Sequence, residues 1–475
     1  MRYLFGFLCV CALGLMPLVG CSETAGDGGS GGSGGDGGAG GMPQCESALD
    51  CYDKNECTTD VCDFASGSCQ NTAIADGTEC GGETYWGNPR GGCYGGLCNY
   101  VPVTVEIGPK EVVFDWSTDR CEDLDLPDQP ARFIRAADGE LVLFDGNAPT
   151  YYVSRGVGFD SLKRVCHPPA LVSADLRTAE SYQNWEWLWT IYREGATWHG
   201  LIHNEFHDAV APTCKPGDPA PGNPCWYNSI TYAMSTDGAR TFVKPSPPEH
   251  VVAPAPRVWI PPNTQLEEWY VDGYFNPSNI VRGPDDYYYT LFSLKRIDPA
   301  TAIDLRGTCA MRTKTLNDPA SWRAWDGTGF DLPLTSPYVA GGEVPECASV
   351  GVPLGLNVPI LTYNTYLERY ITVDEHLSWE DGEWVCGFVL STSVDLIHWS
   401  EVQLITPARI GCDTDDTTPG QLEPVPVGGP SLVDHSDSTT NFERPGRTPY
   451  LYYTRQNRGL DRDLVRVPLT FTLAE

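Results

Sequence analysis

The sequence predicts an all-β chain, in which a five-bladed β-propeller follows a small disulfide-rich module. Short apolar runs bounded by Gly, Pro, Asn and Asp recur from Val101 onward, and no amphipathic stretch of helical period exceeds about ten residues. These runs cluster into units roughly sixty to eighty residues apart, which is typical of propeller blades. Eight cysteines are concentrated between Cys45 and Cys98, which indicates the separate module.

The first twenty residues have the pattern of an export signal. Arg2 is followed by an apolar stretch from Tyr3 to Leu18, which is too short to span a bilayer comfortably. The run Leu18-Val19-Gly20-Cys21 resembles the lipobox of bacterial lipoproteins. That resemblance implies lipidation of Cys21 and, because Ser22 follows it, a place on the cell surface at the outer membrane. An ordinary signal peptide with a chance cysteine is the alternative.

Residues 21–44 are expected to be a tether, residues 45–100 the disulfide-rich module and residues 101–475 the propeller. Gly26 to Gly41 contains only Gly, Ser, Ala and Asp, which leaves no side chain to bury. The module has almost no aliphatic residues, so disulfides must replace a hydrophobic core.

The cysteine count supports export independently. Nineteen cysteines are present, and sixteen remain when Cys9, Cys11 and Cys21 are set aside. An even number suits disulfides in an oxidising compartment. Eight of the sixteen lie between Cys45 and Cys98 and eight between Cys121 and Cys412, so each region can pair internally, although the sequence does not specify the pairs.

The module contains a recognisable cysteine pattern. The run from Asn55 to Asp63, with the cysteines that follow it, resembles small modules in surface proteins of myxobacteria and their relatives. Four of its side chains offer oxygen ligands to Ca²⁺ but are equally suited to capping turns: Asp53, Asn55, Asp60 and Asp63. A zinc site is disfavoured, because the segment has no histidine and disulfides are expected.

Charge and missing motifs exclude several classes of function. The chain has 63 acidic and 31 basic residues and a formal net charge of −32, which repels phosphate backbones, so we expect no nucleic-acid partner. It lacks a Gly-rich phosphate loop, a Gly-x-Ser-x-Gly elbow and a His-Glu-x-x-His signature. We expect a monomer.

Eleven runs carry the strand prediction. They are Gly139 to Asp145, Glu186 to Arg193, Trp198 to Phe206, Ser229 to Met234, Asn279 to Val281, Tyr287 to Lys295, Val358 to Tyr363, Arg369 to Val373, Trp384 to Leu390, Ser431 to Asp434 and Tyr450 to Arg455.

Two motifs follow predicted strands. Ser393 to Trp399 is similar to the blade-closing motif of five-bladed propeller glycoside hydrolases, the arabinanase, xylosidase, invertase and levansucrase group. Ser235 to Phe242 is similar to the Asp box of sialidases, with Ala239 where that pattern has Gly. In both motifs the Asp is expected to cap a turn and the aromatic residue to pack between sheets. They therefore indicate a fold and not an activity.

The resemblance to glycoside hydrolases implies acids on the innermost strands around a central channel. Such a pair inverts or retains configuration according to its separation, about 6.5 to 9.5 Å or about 5.5 Å. Asp128, before the apolar run Ala131 to Ile134, is the candidate of the first blade. Asp272 is a second candidate, and Glu423, which opens the fifth blade, is the candidate acid.

One position departs from that group. Related hydrolases typically place an acidic residue before the proline where this chain has Asn276 and Pro277. Because an amide cannot exchange a proton at neutral pH, either Asp272 substitutes or the site binds sugar without cutting it. Arg455 can clamp a carboxylate or sugar hydroxyl, or it can pair with Asp461.

The densest polar group is the strand end His203-Asn204-Glu205-Phe206-His207. His203, Glu205 and His207 share one face of a strand. A transition metal or a His–Glu proton relay would suit that face, and a hydrogen-bonded strand end is the alternative. A channel Ca²⁺ contacts such a histidine through water in the resembled group, so Ca²⁺ is the candidate cofactor. Another acidic loop contains Asp413, Asp415 and Asp416.

Tryptophans alternate at Trp185, Trp187 and Trp189, which places three indoles on one face of a strand. Aromatic faces at a channel mouth stack on sugar rings, whereas others pack between blades. The sequence therefore predicts a lipid-anchored, glycan-binding propeller that hydrolyses extracellular polysaccharide as a glycoside hydrolase. The alternative is a non-catalytic surface adhesion or binding lipoprotein.

Overall fold

A computed structural model of the chain describes residue 45 and residues 47–84, 87–214, 225–263, 269–351, 360–380, 383–410 and 420–474. Their regular structure is nearly all β, as predicted. The helices are short: α1 (Trp116–Asp119), α2 (Pro337–Ala340) and 3₁₀ turns at Ala48–Cys51, Ala179–Ser181, Pro212–Cys214 and Pro319–Ser321. None of these helices is long and apolar enough to cross a membrane. The predicted signal, tether and lipidated Cys21 lie outside the described residues, as do Asp413, Asp415 and Asp416.

The module at the N-terminal end of the described chain has two small sheets. Its strands are β1 (Thr58–Asp63), β2 (Ser68–Ala73), β3 (Glu79–Glu83), β4 (Pro89–Tyr94) and β5 (Leu97–Cys98). β1 pairs with β2, and β4 lies between β3 and β5. Four disulfides join Cys45 to Cys62, Cys51 to Cys69, Cys57 to Cys93 and Cys80 to Cys98. Internal pairing is thus confirmed, and a zinc site is excluded because all eight thiols are oxidised.

Two of the acidic side chains proposed for Ca²⁺ cap turns instead. An oxygen of Asp53 accepts hydrogen bonds from the Asn55 amide at 2.8 Å and the Thr58 hydroxyl at 3.0 Å. Asp63 accepts from the Ser66 hydroxyl at 2.7 Å and the Ala65 amide at 3.0 Å. These donors stabilise the ionised forms and lower the pKa of both carboxyl groups. The turn-capping interpretation is confirmed for Asp53 and Asp63.

The first large sheet follows α1. The strands of this region are β6 (Val103–Ile107), β7 (Glu111–Phe114), β8 (Arg132–Arg135), β9 (Leu141–Phe144), β10 (Thr150–Tyr151), β11 (Val153–Gly156), β12 (Lys163–Val165) and β13 (Leu171–Val172). β8, β9, β11 and β12 form an antiparallel sheet in that order, and β10 pairs with β13. A disulfide joins Cys121 to Cys166 and ties the segment before β8 to the end of β12.

A ten-stranded sheet comes next. Its strands are β14 (Trp185–Glu194), β15 (Thr197–His207), β16 (Cys225–Ser235), β17 (Val251–Ala253), β18 (Tyr270–Phe275), β19 (Val281–Arg282), β20 (Tyr288–Asp298), β21 (Ile303–Thr313), β22 (Arg323–Ala324) and β23 (Leu332–Pro333). Two antiparallel units, β14 to β17 and β18 to β23, are joined where the beginnings of β16 and β18 run parallel. Disulfides join Cys214 to Cys225 and Cys309 to Cys347.

The last two sheets contain β24 (Thr362–Asn364), β25 (Arg369–Glu380), β26 (Glu383–Ser393), β27 (Gln403–Pro407), β28 (Val427–Val433), β29 (Tyr450–Arg458) and β30 (Asp461–Leu473). β24 to β27 form one antiparallel sheet in chain order. β28, β29 and β30 form the other, and the early strands β6 and β7 both pair with β30. The two ends of the β-rich chain therefore share one sheet.

Neighbouring sheets pack against one another. β8 lies against β14 on one side and β28 on the other, and β28 also contacts β25. Buried clusters fill the spaces between sheets. One combines Ile134 and Phe144 of the first sheet with Leu188 and Trp198 of the next. The cores are therefore shared between successive sheets. The strands β8, β14, β25 and β28 are connected by contacts between neighbouring sheets.

The two sequence motifs play the architectural role predicted for them. Asp237 accepts hydrogen bonds from the Arg240 and Thr241 amides at 2.9 and 3.1 Å, and Phe242 packs into the core. Asp395 accepts from the Ile397 and His398 amides at 2.9 and 2.8 Å. Both aspartates thus cap turns, so their presence indicates a fold and not a catalytic role.

Strand prediction succeeded where apolar alternation was strong. The run Glu186 to Arg193 lies within β14, and Trp198 to Phe206 lies within β15. The run Asn279 to Val281 is mostly loop, because only its last residue enters β19. The eleven predicted runs do not include β21, whose first half is largely exposed and is recruited by pairing with β20.

The disulfide-rich module is docked on the β24–β27 sheet. The Tyr94 ring stacks on His398 with centroids 3.9 Å apart. Arg369 donates to the Cys98 carbonyl at 2.9 Å, and the Glu401 amide donates to the Arg90 carbonyl at 2.8 Å. The module is therefore packed against the β-rich part and does not project from it as a free stalk.

Candidate active site

The predicted polar face of β15 forms one connected group. Glu205 accepts from both histidines: its Oε1 lies 2.9 Å from Nε2 of His203, and its Oε2 lies 2.8 Å from Nε2 of His207. Burial raises the pKa of Glu205, but hydrogen bonds from His203 and His207 outweigh burial and hold it well below its usual range. Glu205 is therefore ionised and is not available as a general acid.

A backbone contact orients His203. The amide of Asn276 donates to Nδ1 of His203 at 3.2 Å, so this nitrogen is an acceptor and the ring proton sits on Nε2, toward Glu205. Asn276 has a φ of 49°, in the left-handed region that Asn tolerates. Asn276 thus positions His203 through its main-chain amide. This role does not depend on whether the side chain at position 276 is an amide or an acid.

The three alternating tryptophans lie against this face, as the strand period predicts. The ring centroid of His203 lies 5.8 Å from that of Trp187 and 5.2 Å from that of Trp189. Trp185 lies 6.0 Å from His207. The indoles of β14 and the histidines of β15 therefore form a single aromatic surface across two strands.

A cavity of about 510 Å³ opens where strands of neighbouring sheets meet. Its polar lining comprises Asp128, Gln129, Glu375, Arg409, Thr454, Gln456 and Arg462. Trp189 contributes an apolar wall. Within the described chain, the Trp189 indole nitrogen and Oε1 of Gln129 are buried without a hydrogen-bond partner. Both residues line the cavity, but these two polar atoms are themselves buried.

Asp128, a candidate from the sequence, lines this cavity, and its catalytic role stays a prediction. Burial raises its pKa, while an ion pair with Arg462 opposes that effect. The negative charge of Glu205 raises the pKa of Asp128 further, and the Trp187 side chain lowers it. Asp128 is therefore linked electrostatically to the Glu205 group and faces an open space.

Glu375, on β25, supplies the second cavity carboxyl group. Its Oε1 accepts a 2.8 Å hydrogen bond from the Gly429 amide. Gly429 has a φ of 60°, and its neighbour Gly428 has no Cβ where one would lie 3.0 Å from that same oxygen. Burial nevertheless raises the pKa of Glu375 to about 7. Glu375 can therefore hold a proton near neutral pH.

Lys295, on β20, interacts electrostatically with the carboxylates of three other residues. Burial lowers its pKa to about 8, and the charges of Asp374, Glu205 and Glu375 oppose that shift. Its ammonium nitrogen is 5.2 Å from the centroid of the Phe275 ring. The positive charge of Lys295 thus favours the ionised form of Glu375.

Asp272 lies outside the cavity lining. Its Oδ1 is 3.4 Å from Arg257, which also pairs with Glu346. Burial raises the pKa of Asp272 to about 6, against the effect of Arg257 and Arg296. Asp272 is therefore a buried carboxyl group in a separate ion-pair cluster, and its catalytic role stays a prediction.

Glu423 and Arg455 belong to another buried network. Glu423 accepts from the Tyr453 hydroxyl at 2.9 Å and pairs with Lys110 at 3.1 Å. Arg455 lies 3.7 Å from Glu423 and 2.7 Å from Asp463, so its strong partner is Asp463. The cavity lining contains neither Glu423 nor Arg455. Of these two glutamates, only Glu375 therefore faces the cavity.

Sequence reasoning missed Glu375, Lys295 and Arg462. A signal for Glu375 existed, because Asp374, Glu375 and His376 follow directly on the apolar run that ends at Val373. This is the pattern that identified Glu205 on β15. Nothing comparable marked Lys295 or Arg462, since single basic residues at strand positions are common on solvent-facing surfaces.

The described residues contain no convergent set of three His, Asp or Glu ligands, and the metal-like groups found there are disulfide-bonded cysteines. A transition metal on the β15 face is disfavoured for a further reason. Both Nε2 atoms that would bind the metal already contact Glu205.

Comparisons with known proteins add distant similarities. No protein-family model matches the chain, and no curated protein sequence matches it. Similar solved structures include a protein of unknown function from Dyadobacter fermentans, with 12% identity, a TM-score of 0.41, and coverage of 78% of this chain and 99% of that one. An endo-arabinase from Bacteroides thetaiotaomicron has 12% identity and a TM-score of 0.39, covering 77% and 98%.

An α-L-arabinanase from Cellvibrio cellulosa has 10% identity and a TM-score of 0.37, with 70% of this chain and 87% of that chain covered. At these values, no residue role or activity is carried over to this protein. The chemistry of the site rests on its own geometry: a protonatable carboxyl group and a second carboxylate facing one cavity with an aromatic wall.

Proposed function

We propose that this protein is a glycoside hydrolase built on a five-bladed β-propeller, with its site at the channel where the blades meet. Five successive antiparallel units and the pairing of β6 and β7 with β30 support that arrangement. The observation that carries the activity is that Asp128 and Glu375 line the same cavity.

The two carboxyl groups suit different roles. Glu375, with a pKa raised to about 7, donates a proton to the leaving-group oxygen. Asp128, paired with Arg462, acts as the base that activates water. Trp189 stacks on a sugar ring and excludes water from one side of the bond. Lys295 and the Gly429 amide stabilise the ionised form that Glu375 has after it donates its proton.

A panel of polysaccharides tests the activity. The purified protein is incubated with arabinan, xylan, fructan and sialosides, and both bound glycan and reducing ends are measured. We expect reducing ends to be released from an uncharged polymer. Glycan binding without release of any product would favour the second candidate function, which is that of a non-catalytic binding protein. The observation that favours this second function is Asn276, which takes the place of an acidic residue.

The pH profile of the activity provides a separate prediction. Because Glu375 acts in its protonated form, kcat/KM should be highest below pH 7 and fall as pH rises through about 7. Lys295 favours ionised Glu375, so Lys295→Met should move this alkaline limb to higher pH. Initial rates measured from pH 4 to 10 check both expectations. An alkaline limb that is unchanged in Lys295→Met would contradict the assignment to Glu375.

We also propose that the chain is exported and anchored at the cell surface through a lipid on Cys21. Disulfide pairing within the described residues supports an oxidising compartment. Cells grown with a labelled fatty acid should incorporate label into the wild type, whereas Cys21→Ala should carry none and leave the membrane fraction. Equal labelling of both proteins would refute the anchor.

A further inference from the structure

A row of partly exposed aromatic rings extends from the cavity across the ten-stranded sheet. Trp185 lies 6.2 Å from Trp187 and 6.0 Å from His207, measured between ring centroids. His207 lies 5.6 Å from Trp226, which lies 4.8 Å from Trp269. We call Trp185, His207, Trp226 and Trp269 the aromatic row.

Strand pairing places the whole row at one edge of the sheet. Trp185 begins β14 and stands opposite Glu205 near the end of β15. His207 ends β15 and stands opposite Trp226 at the beginning of β16. Trp226 in turn faces Val271 of β18, just after Trp269. Three neighbouring strands and the residue that precedes β18 thus present aromatic rings side by side at the same edge.

Ring contacts along β14 connect this edge to the wall of the cavity. The same face of β14 carries Trp187 and Trp189, and Trp189 lines the cavity. Glu205, opposite Trp185, acts on the charge of Asp128 in the cavity. The aromatic row therefore lies on the same face of β14 as the tryptophan that forms the cavity wall.

The exposure of these rings separates them from ordinary packing. Trp269 is 38% exposed, and Trp185, His207 and Trp226 are partly exposed. On the other face of the same strands, Phe206, Tyr227 and Trp259 pack together and form the core there. Packing of a protein core does not explain four adjacent, partly exposed rings at a surface edge, whereas binding to another molecule does.

We propose that the aromatic row binds further sugar residues of the chain whose reacting unit occupies the cavity, which makes the ligand an uncharged polysaccharide. Pyranose and furanose rings stack on aromatic faces, and rings about 5 to 6 Å apart offer successive stacking surfaces. An acidic polymer is disfavoured by the ionised Glu205 beside the row and by the net charge of −32.

This inference rests on the proposed function and is tested by chain length. Affinities for arabinohexaose, arabinobiose, xylohexaose and xylobiose are measured by calorimetry for the wild type and for Trp226→Ala/Trp269→Ala. We expect the double variant to bind the hexasaccharide of the preferred series about tenfold more weakly and the disaccharide unchanged. Trp226→Phe should retain most of the hexasaccharide affinity, and Tyr52→Ala, an exposed aromatic residue on the module, should retain all of it.

The outcomes separate this inference from the activity. Equal losses for both chain lengths, or no preference of the wild type for either hexasaccharide, would overturn the aromatic row. Hydrolysis of a disaccharide would then still support the cavity chemistry. Conversely, loss of hexasaccharide binding in the double variant without any hydrolysis by the wild type would support the row and refute the hydrolase. Stronger binding of polygalacturonate than of the neutral hexasaccharides would also overturn the proposal, as would self-association that the double variant abolishes.

Discussion

Glu375→Gln should lower kcat on a polymeric substrate by about 10²- to 10⁴-fold while glycan affinity stays within a few-fold of the wild type. The amide preserves size and can still accept from the Gly429 amide, but it has no proton to transfer at neutral pH. Steady-state rates and calorimetric affinities on the same protein preparation measure the two effects separately.

Glu423→Gln is the matched comparison, because it makes the same chemical change at the acid predicted from the sequence. Glu423 lies in a network with Lys110, Tyr453 and Arg455 outside the cavity lining. We therefore expect the free energy of unfolding to fall by about 1 to 3 kcal/mol with kcat nearly unchanged. A large loss of kcat in Glu423→Gln at unchanged stability would reverse the assignment of the acid.

Arg164→Met should lower the free energy of unfolding by about 3 to 5 kcal/mol. Arg164 is fully buried between two fully buried aspartates, 3.2 Å from Asp125 and 2.6 Å from Asp145. Burial raises the pKa of both aspartates, and the positive charge of Arg164 opposes that shift. Its removal leaves two carboxylates in a site without solvent, which is why the expected loss is large.

A triple variant distinguishes lost charge balance from lost packing. Arg164→Met/Asp125→Asn/Asp145→Asn contains no unpaired buried charge, so it should recover part of the stability lost in Arg164→Met. Urea unfolding of the single and triple variants at neutral pH provides the comparison. If the triple variant were no more stable than the single one, packing of the Arg164 side chain against Phe114 would be the main contribution.

The Arg164 cluster also connects stability to the site. The Cys121 amide donates to Asp125 at 2.9 Å, and the Asp128 amide donates to the Asp145 carbonyl at 3.2 Å. The segment that presents Asp128 to the cavity therefore contains one of the aspartates that Arg164 neutralises and is hydrogen-bonded, at Asp128, to the main chain of the other. Arg164→Met is expected to reduce activity even at temperatures where the protein remains folded.

Local pattern was enough to predict much of the site on β14 and β15. The period of two along a strand placed His203, Glu205 and His207 on one face, and the same rule aligned the three tryptophans. Residue type and spacing are sufficient in such cases, because a strand fixes the direction of each side chain. Turn capping by Asp237 and Asp395 was predictable for the same local reason.

The glutamate that we propose as the acid could be identified only from the tertiary structure. Asp272 and Glu423 were plausible on sequence grounds, yet each lies in an ion-pair cluster away from the cavity lining. Glu375 faces the cavity because β25 packs against β28, where Gly429 meets its carboxyl group. No local signal specifies which of several buried carboxyl groups will share a space with Asp128.

By itself, the sequence determined that the chain is nearly all β, that its first module is held by internal disulfides and that β15 presents a His–Glu–His face. These features depend on periodicity and composition over a few neighbouring residues. Only the tertiary structure decided which acids face one cavity, that Arg462 carries charge there, that the charge of Lys295 acts on Glu375, and that Trp185, His207, Trp226 and Trp269 form one row. Those features arise from contacts between residues far apart in the chain, where burial and charge set each pKa and no short pattern records the partner.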